Sequence, residues 1–193
     1  MPITPSTSLA EAFAAHQARS KDSTWGQRSQ GIKRDFARTE ALPCIRPEHP
    51  QEHASISALL RAAFGGEDEA RLVETLRQQD DLSLSLVADA AGTIIGHVAL
   101  SPLQAEGPAF ALAPVAVHPA LQGRGIGDAL IRAALKAVEG HTVVVLGDPA
   151  YYGRFGFAPA DLASPHAGPY LMALGPALPA GSTIAHAKAF AGL

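Results

Sequence analysis

Thirteen residues, Val115 to Gly127, limit the fold more than any other part of the chain. An apolar run at Phe110–Val117 passes His118 and Pro119, enters Gln122-Gly123-Arg124-Gly125-Ile126-Gly127, and opens a helical pattern over Ile126–Val138. A strand that is apolar throughout must be covered on both sides, so this junction belongs in a sheet with helices packed on its faces. The first N–H groups of the helix have no acceptor one turn back, and the aligned peptide dipoles add partial positive charge there. Glycines at 123, 125 and 127 let an anion approach the backbone and permit positive φ, while Arg124 adds a charge outside the turn. A phosphate suits such a place. Spacing excludes two common users of this arrangement. A dinucleotide-binding Gly-x-Gly-x-x-Gly would need glycine where Asp128 stands, and the ATPase loop needs a Gly-Lys pair that the chain lacks.

Around this junction the pattern alternates between helix and strand. Cys44–Arg46 can begin a strand that stops at Pro47, and Ile56, Leu59, Leu60, Ala63 and Phe64 recur at helical spacing before Gly65-Gly66. A second helix carries Leu72, Val73 and Leu76 on one face. Leu82, Leu84 and Leu86 alternate with Ser83, Ser85 and Val87, predicting a strand with one fully buried face, and Thr93–Leu100 is its return partner beyond the Ala91-Gly92 turn. After the long helix, Thr142–Leu146 predicts a central strand and Pro149–Phe155 a short helix. Tyr170–Leu174 and Thr183–Phe190 are weaker strand candidates. Residues 1–42, with sparse apolar positions after Phe13, predict a flexible or loosely packed extension, with a short helix capped at Ser8; residues 43–193 form the domain.

Composition narrows the function. A chain of 193 residues with 47% hydrophobic and 17% charged residues folds around one core. The net charge of −3 argues against a nucleic-acid partner. Cys44 is the single cysteine, so no internal disulfide or cysteine-based zinc site is expected, and no metal site is predicted. No stretch has the roughly 20 apolar residues of a membrane span or the pattern of a signal peptide. These features together predict a cytoplasmic protein that does not engage a membrane.

The Gln122-x-x-Gly125-x-Gly127 spacing resembles the acetyl-coenzyme A loop of the GNAT superfamily. Val115-x-Val117-x-Pro119 before it looks like that family's fourth strand, and Tyr152-Gly153-Arg154-Phe155-Gly156-Phe157 looks like its Tyr-x-x-x-Gly-Phe signature. The resemblance covers roughly residues 44–190. The stretch from Gly147 to Phe157 is closest to bacterial members of unassigned substrate. The resemblance implies a mixed, mostly antiparallel α/β (α+β) sheet of six or seven strands flanked by helices, splayed between 110–117 and 142–146. It further implies an N-acetyltransferase that moves an acetyl group from acetyl-coenzyme A to an amine by direct attack in a ternary complex. The pyrophosphate would lie on the backbone of Gln122, Gly123, Arg124, Gly125, Ile126 and Gly127, and the pantetheine arm along Val115, Ala116 and Val117. Dimerisation through the C-terminal strands would be compatible with the superfamily. The amine, on a small molecule or a protein, is not readable. The rival reading is a non-catalytic acyl-coenzyme A sensor or scaffold with the same fold.

Acetyl transfer needs a neutral amine and a proton for the departing thiolate. The signature assigns that proton, and a place beside the cofactor, to Tyr152, with Tyr151 ranked second. The base is harder to find, because Phe110–Val117 holds no acidic side chain. His97 on the return strand faces the cleft in one of two registers and is the candidate base, accepting the proton directly or through water; a partly buried histidine with a backbone partner is the competing reading of equal weight. His118 reads as a structural or phosphate-neighbouring residue. Glu67, Asp68 and Glu69 read as a solvated turn with acceptor binding as the alternative, and Asp148 as a contact to cofactor or acceptor through water.

Overall fold

The computed structural model describes residues 43–192, so the extension expected at 1–42, including the helix capped at Ser8, lies outside the described residues. Strand β1 (Cys44–Pro47) leads through a 3₁₀ turn into helices α1 (His53–Phe64) and α2 (Asp68–Gln78). Strands β2 (Leu84–Ala90), β3 (Thr93–Leu103) and β4 (Ala109–Val117) follow, then α3 (Ile126–Ala137), β5 (Thr142–Leu146), the single-turn α4 (Pro149–Tyr152), β6 (Ala158–Pro159) and β7 (Leu171–Leu174). One seven-stranded sheet results, in the order β1-β2-β3-β4-β5-β7-β6. Only β4 and β5 run parallel, as the intervening α3 crossover requires.

The sheet is covered on both faces. Ile126, Leu130, Ile131 and Ala134 of α3, spaced for one helix face, pack on Leu86, Ile95, Val98 and Leu112. Ile56, Leu59 and Leu60 of α1, with Val73 of α2, cover Val87 and Ala116 on the opposite side. Each fully buried Leu or Ile contributes roughly 2 kcal/mol of transfer free energy. This double cover corrects the expectation for β2: the strand starts at Leu84 and has neighbouring residues Ser85 to Ala88 all buried, so both faces are inside.

Two departures from regular pairing shape the middle of the sheet. Between the pairs Val98↔Val115 and Leu100↔Leu112, β4 takes three steps where β3 takes two, so β4 is bulged around Ala113-Pro114. On its other side β4 pairs with β5 only from Ala109 to Ala111, opposite Thr142 to Val144. Beyond Ala111 the two strands part, and Pro114 has no N–H to offer a neighbour. The expected V between these strands is present.

The C-terminal reading needs correcting. Residues 183–190 do not form a strand; the segment touches the sheet through the single bridges Ala163↔Thr183 and Gln104↔Ala185 and ends in a 3₁₀ turn, Lys188–Gly192. β7 already has β5 on one side and β6 on the other, which leaves no edge for another ladder. The apolar residues of the segment serve burial instead, with Ile184 2% exposed.

Candidate active site

At the end of β4 the chain makes a 3₁₀ turn, Pro119–Leu121, in which His118 Nδ1 accepts from Ala120 N–H at 3.3 Å. Gln122 turns back and donates from Nε2 to the carbonyl of Val117 at 3.3 Å. Gly123 (φ 74°) and Gly125 (φ 78°) are left-handed, and added Cβ atoms there would meet open space. No hydrogen bond within the described residues takes the N–H groups of Gln122, Gly123, Gly125, Ile126, Gly127 and Asp128; the first helix-entry bond is Ala129 N–H to Gly125 O at 3.0 Å. The result is a cradle of donors at the start of a twelve-residue helix.

The cradle lies in a groove lined by Val115, Val117, Gln122, Gly125, Tyr151 and Tyr152, among others. A second cavity of about 160 Å³ occupies the opening between β4 and β5. Its walls are mostly apolar, from Phe64, Leu72, Leu112, Pro114, Leu146 and Phe190, and its polar side chains are Glu69, Tyr152, His166 and His186. Val115 and Tyr152 line both spaces. They stand where groove and cavity meet.

Tyr152 is held there by local sequence. Asp148 caps α4, its Oδ1 accepting from Ala150 N–H at 2.9 Å. The Tyr152 ring packs edge-on against Phe157 with centroids 5.7 Å apart and against Tyr151 at 5.1 Å. It lies over Gly147, where any Cβ would overlap ring atoms Cε2 and Cδ2. Burial raises its phenol above the ordinary tyrosine value, and the charge of Tyr151 adds to that. No described residue hydrogen-bonds its hydroxyl. Tyr151 differs. Its hydroxyl donates to Asp128 Oδ1 at 3.2 Å, Arg154 stacks 4.5 Å above its ring, and burial helps push its phenol to about 12. Of the two adjacent tyrosines, Tyr152 has the uncommitted hydroxyl.

His97 lies elsewhere. It is 0% exposed and lines neither space. Its strand neighbours Val87 and Ala116 face α1 and α2, so of the two possible registers the structure has the one that turns His97 away from the groove. The side chain belongs to a buried relay. Arg77 holds Glu48 with Nε and Nη2 at 2.8 Å each, Ser85 donates its hydroxyl to Glu48 Oε2, and His97 Nε2 lies 2.8 Å from Ser85 Oγ. Because the Ser85 proton is committed to Glu48, His97 Nε2 must donate, which fixes the neutral Nε2–H tautomer. Burial pushes the imidazole down to about 4 against the opposing pull of Glu48. In Glu48, burial pushes the carboxyl up, but Arg77 and Ser85 outweigh it and hold it below the ordinary value.

The other candidates separate similarly. Ala116 is buried under the helices, Arg124 is exposed on the turn, and Glu67 and Asp68 are exposed and paired with Arg61 and Arg71. Glu69, the very next residue after Asp68, reaches the cavity wall. His166 and His186 were missed by sequence reading. They come from loops without periodic signal, and their rings meet edge to face at 5.7 Å. Among the described residues no group of three or more His, Cys, Asp or Glu could hold a metal, and no helix is long and apolar enough to cross a membrane.

The acetyltransferase (GNAT) family model matches residues 53–157. The chain belongs to the GNAT family. The matched span runs from α1 through the cradle to Phe157, so it contains both the donor turn and Tyr152. Among GNAT relatives, the Escherichia coli K12 protein YhbS, described as an uncharacterized N-acetyltransferase, is 42% identical over 129 residues, covering 63% of this chain and 75% of its own. A crystal structure of Escherichia coli YhbS in complex with CoA superposes with a TM-score of 0.71 at 34% identity, covering 79% of this chain and 94% of that one. A Brucella melitensis GNAT acetyltransferase in complex with acetyl-CoA gives a TM-score of 0.65 at 39% identity, covering 76% and 97%.

Proposed function

We propose that this protein transfers an acetyl group from acetyl-coenzyme A to a primary amine by direct attack in a ternary complex. The observation that carries the reading is the shared wall: Tyr152 and Val115 border both the donor cradle and the apolar cavity. A ligand with its diphosphate on the N–H groups of Gln122, Gly123, Gly125, Ile126, Gly127 and Asp128 and its arm along the unpaired edge of β4 would bring its far end to Tyr152. The two similar structures solved with CoA and acetyl-CoA support that occupant. The thioester supplies an acyl carbon with a thiolate leaving group. Tyr152, protonated at neutral pH because burial raises its phenol, donates to that thiolate. No nucleophilic cysteine takes part, since Cys44 is on the exposed edge strand β1.

The cavity suits a narrow acceptor. At about 160 Å³ it is close to the roughly 150 Å³ that holds a benzene-sized body. Glu69 is the one acidic side chain among the residues lining it, which fits a single ammonium on an apolar stem better than a polycation. Calorimetry and turnover test the reading. Coenzyme A should bind the wild type and lose at least 100-fold in affinity with Gly125→Glu, which puts a carboxylate in the cradle. Acetyl-coenzyme A with benzylamine, phenethylamine, Nα-acetyl-lysine methylamide or spermidine should release thiol, fastest with the first three. A wild type that binds neither coenzyme A nor acetyl-coenzyme A ends the proposal.

One observation favours a second reading, a sensor of acyl-coenzyme A without turnover. β4 has no acidic side chain and His97 is sealed under α1 and α2, so both anticipated sources of a base are missing from the groove. Tight binding with no thiol release for any acceptor would select the sensor.

A further inference from the structure

The missing base directs attention to His186. It lines the cavity between β4 and β5, and it also lines a separate surface depression with Asp81, Gln104 and Lys188. The ring therefore stands between the enclosed space and solvent. Its position is built from both sides. Ala185 N–H and C=O exchange hydrogen bonds with Gln104 at 3.0 and 2.9 Å, and Ile184 N–H donates to Ala163 O at 3.0 Å. The ring leans on Phe190 at 5.1 Å and on His166 at 5.7 Å. No hydrogen bond from the described residues occupies its ring nitrogens.

We propose that His186 is the proton acceptor of the transfer reaction, taking the ammonium proton inside the cavity and releasing it to the outer depression. The inference rests on the acetyl-transfer reading above. The acceptor arrives as an ammonium, and one proton passes to a His186 ring nitrogen and out to solvent. The neutral nitrogen forms the new bond to the acyl carbon, the carbon–sulfur bond breaks, and the thiolate takes the Tyr152 proton. Tyr152 regains a proton from the newly acylated nitrogen. One proton leaves overall, with free thiol and amide as products. The groups facing the ring are Glu69, Tyr152 and His166 on the cavity side and Asp81 and Lys188 outside. Burial and neighbouring His166 push His186 down to about 4, so it waits neutral and passes a proton on rather than storing it.

Two variants and a labelling reaction test this. His186→Phe keeps the aromatic contacts with Phe190 and His166, and His186→Ala leaves room for an added base. With benzylamine as acceptor, or water where no amine turns over, both should lose about 100-fold or more in kcat. Coenzyme A affinity should be unchanged. The remaining rate should rise with unit slope in pH toward the benzylamine pKa, because only free amine then reacts. Imidazole should restore His186→Ala at least tenfold and leave His186→Phe unaffected. In the free protein, diethyl pyrocarbonate should modify His186 and spare His97, read by mass spectrometry. A His186→Phe protein with wild-type rate and pH profile, or a His186 that resists the reagent, overturns the assignment while leaving acetyl transfer intact. A wild type that binds acetyl-coenzyme A and transfers to neither amine nor water overturns both.

Discussion

Replacing Tyr152 with phenylalanine should separate catalysis from folding. The ring contacts with Phe157 and Tyr151 remain, and the hydroxyl that disappears has no hydrogen-bond partner among the described residues. Burying an unpaired hydroxyl costs about 1–3 kcal/mol; Tyr152 keeps partial exposure, so the relief in Tyr152→Phe should be at most about 1 kcal/mol. For a domain of this size that raises Tm by about 2–4 °C. The rate should move far more. Loss of a positioned proton donor costs about 10²–10⁴-fold in kcat, or about 3–5 kcal/mol in the barrier. Coenzyme A affinity should stay within about twofold, since the cradle is untouched. Thermal melting, calorimetry with coenzyme A, and thiol release with benzylamine read the three quantities separately. Wild-type kcat in the variant would refute Tyr152 as the donor. A Tm lower by several degrees would show that the hydroxyl has a structural partner, and the argument from its freedom would fail.

Gly147→Ala sets a methyl group against the Tyr152 ring and should lower kcat by at least tenfold with coenzyme A binding retained, checked by thiol release beside calorimetry. Arg77→Met removes the bidentate partner of Glu48, whose side chain is 13% exposed; an orphaned buried carboxylate should cost about 3 kcal/mol in urea unfolding. Acid should destabilise the fold early. His97 moves from 6.5 unfolded to about 4 folded, so its contribution is complete above pH 6.5 and lost as pH falls toward 4, about 2 kcal/mol of it between pH 7 and 5. Glu48 adds a further loss below its ordinary value, in the same direction. His97→Gln, which keeps a donor for Ser85, should flatten the pH 7 to 5 part of a urea-unfolding series. An unchanged slope would refute the buried neutral imidazole.

The parts of the fold legible in sequence were those written locally. The strand, the glycines and the long helix between Phe110 and Val138 declare themselves by period and spacing, while the opening between β4 and β5 was implied only by the family resemblance. The Tyr152 candidate came from its likeness to a family signature rather than from period, and the structure puts it where groove and cavity meet. The register of His97 was not legible, because a period-2 strand buried on both faces gives no hydropathy difference between its registers; only the partner Val87 on β2 and Ala116 on β4 decide. The segment 183–190 looked strand-like because Ile184 and Phe190 need burial, yet burial does not create an edge to pair with. His166 and His186 are twenty residues apart in loops, and nothing local announces that their rings touch.

The opening of the sheet explains why the site needs walls shared between compartments. A ladder continued past Ala111 would satisfy β4 and β5 with each other and leave no space between them. The bulge at Ala113-Pro114 ends that pairing while β4 keeps β3 and β5 keeps β7 on their far edges, so the facing edges of both strands are left without each other beyond Ala111 and Val144. A polar edge facing an apolar cavity is poorly solvated, and an extended amide chain from the cradle side would relieve it. That chain would enter past Val115, meet Tyr152 at the junction, and stop where the cavity begins. Acetyl transfer at that point would release a proton deep between the strands, with the cosubstrate lying across the groove side. Under the proposed reaction an exit on the opposite wall would be needed, and His186 is the described residue that borders both the cavity and the depression beyond it.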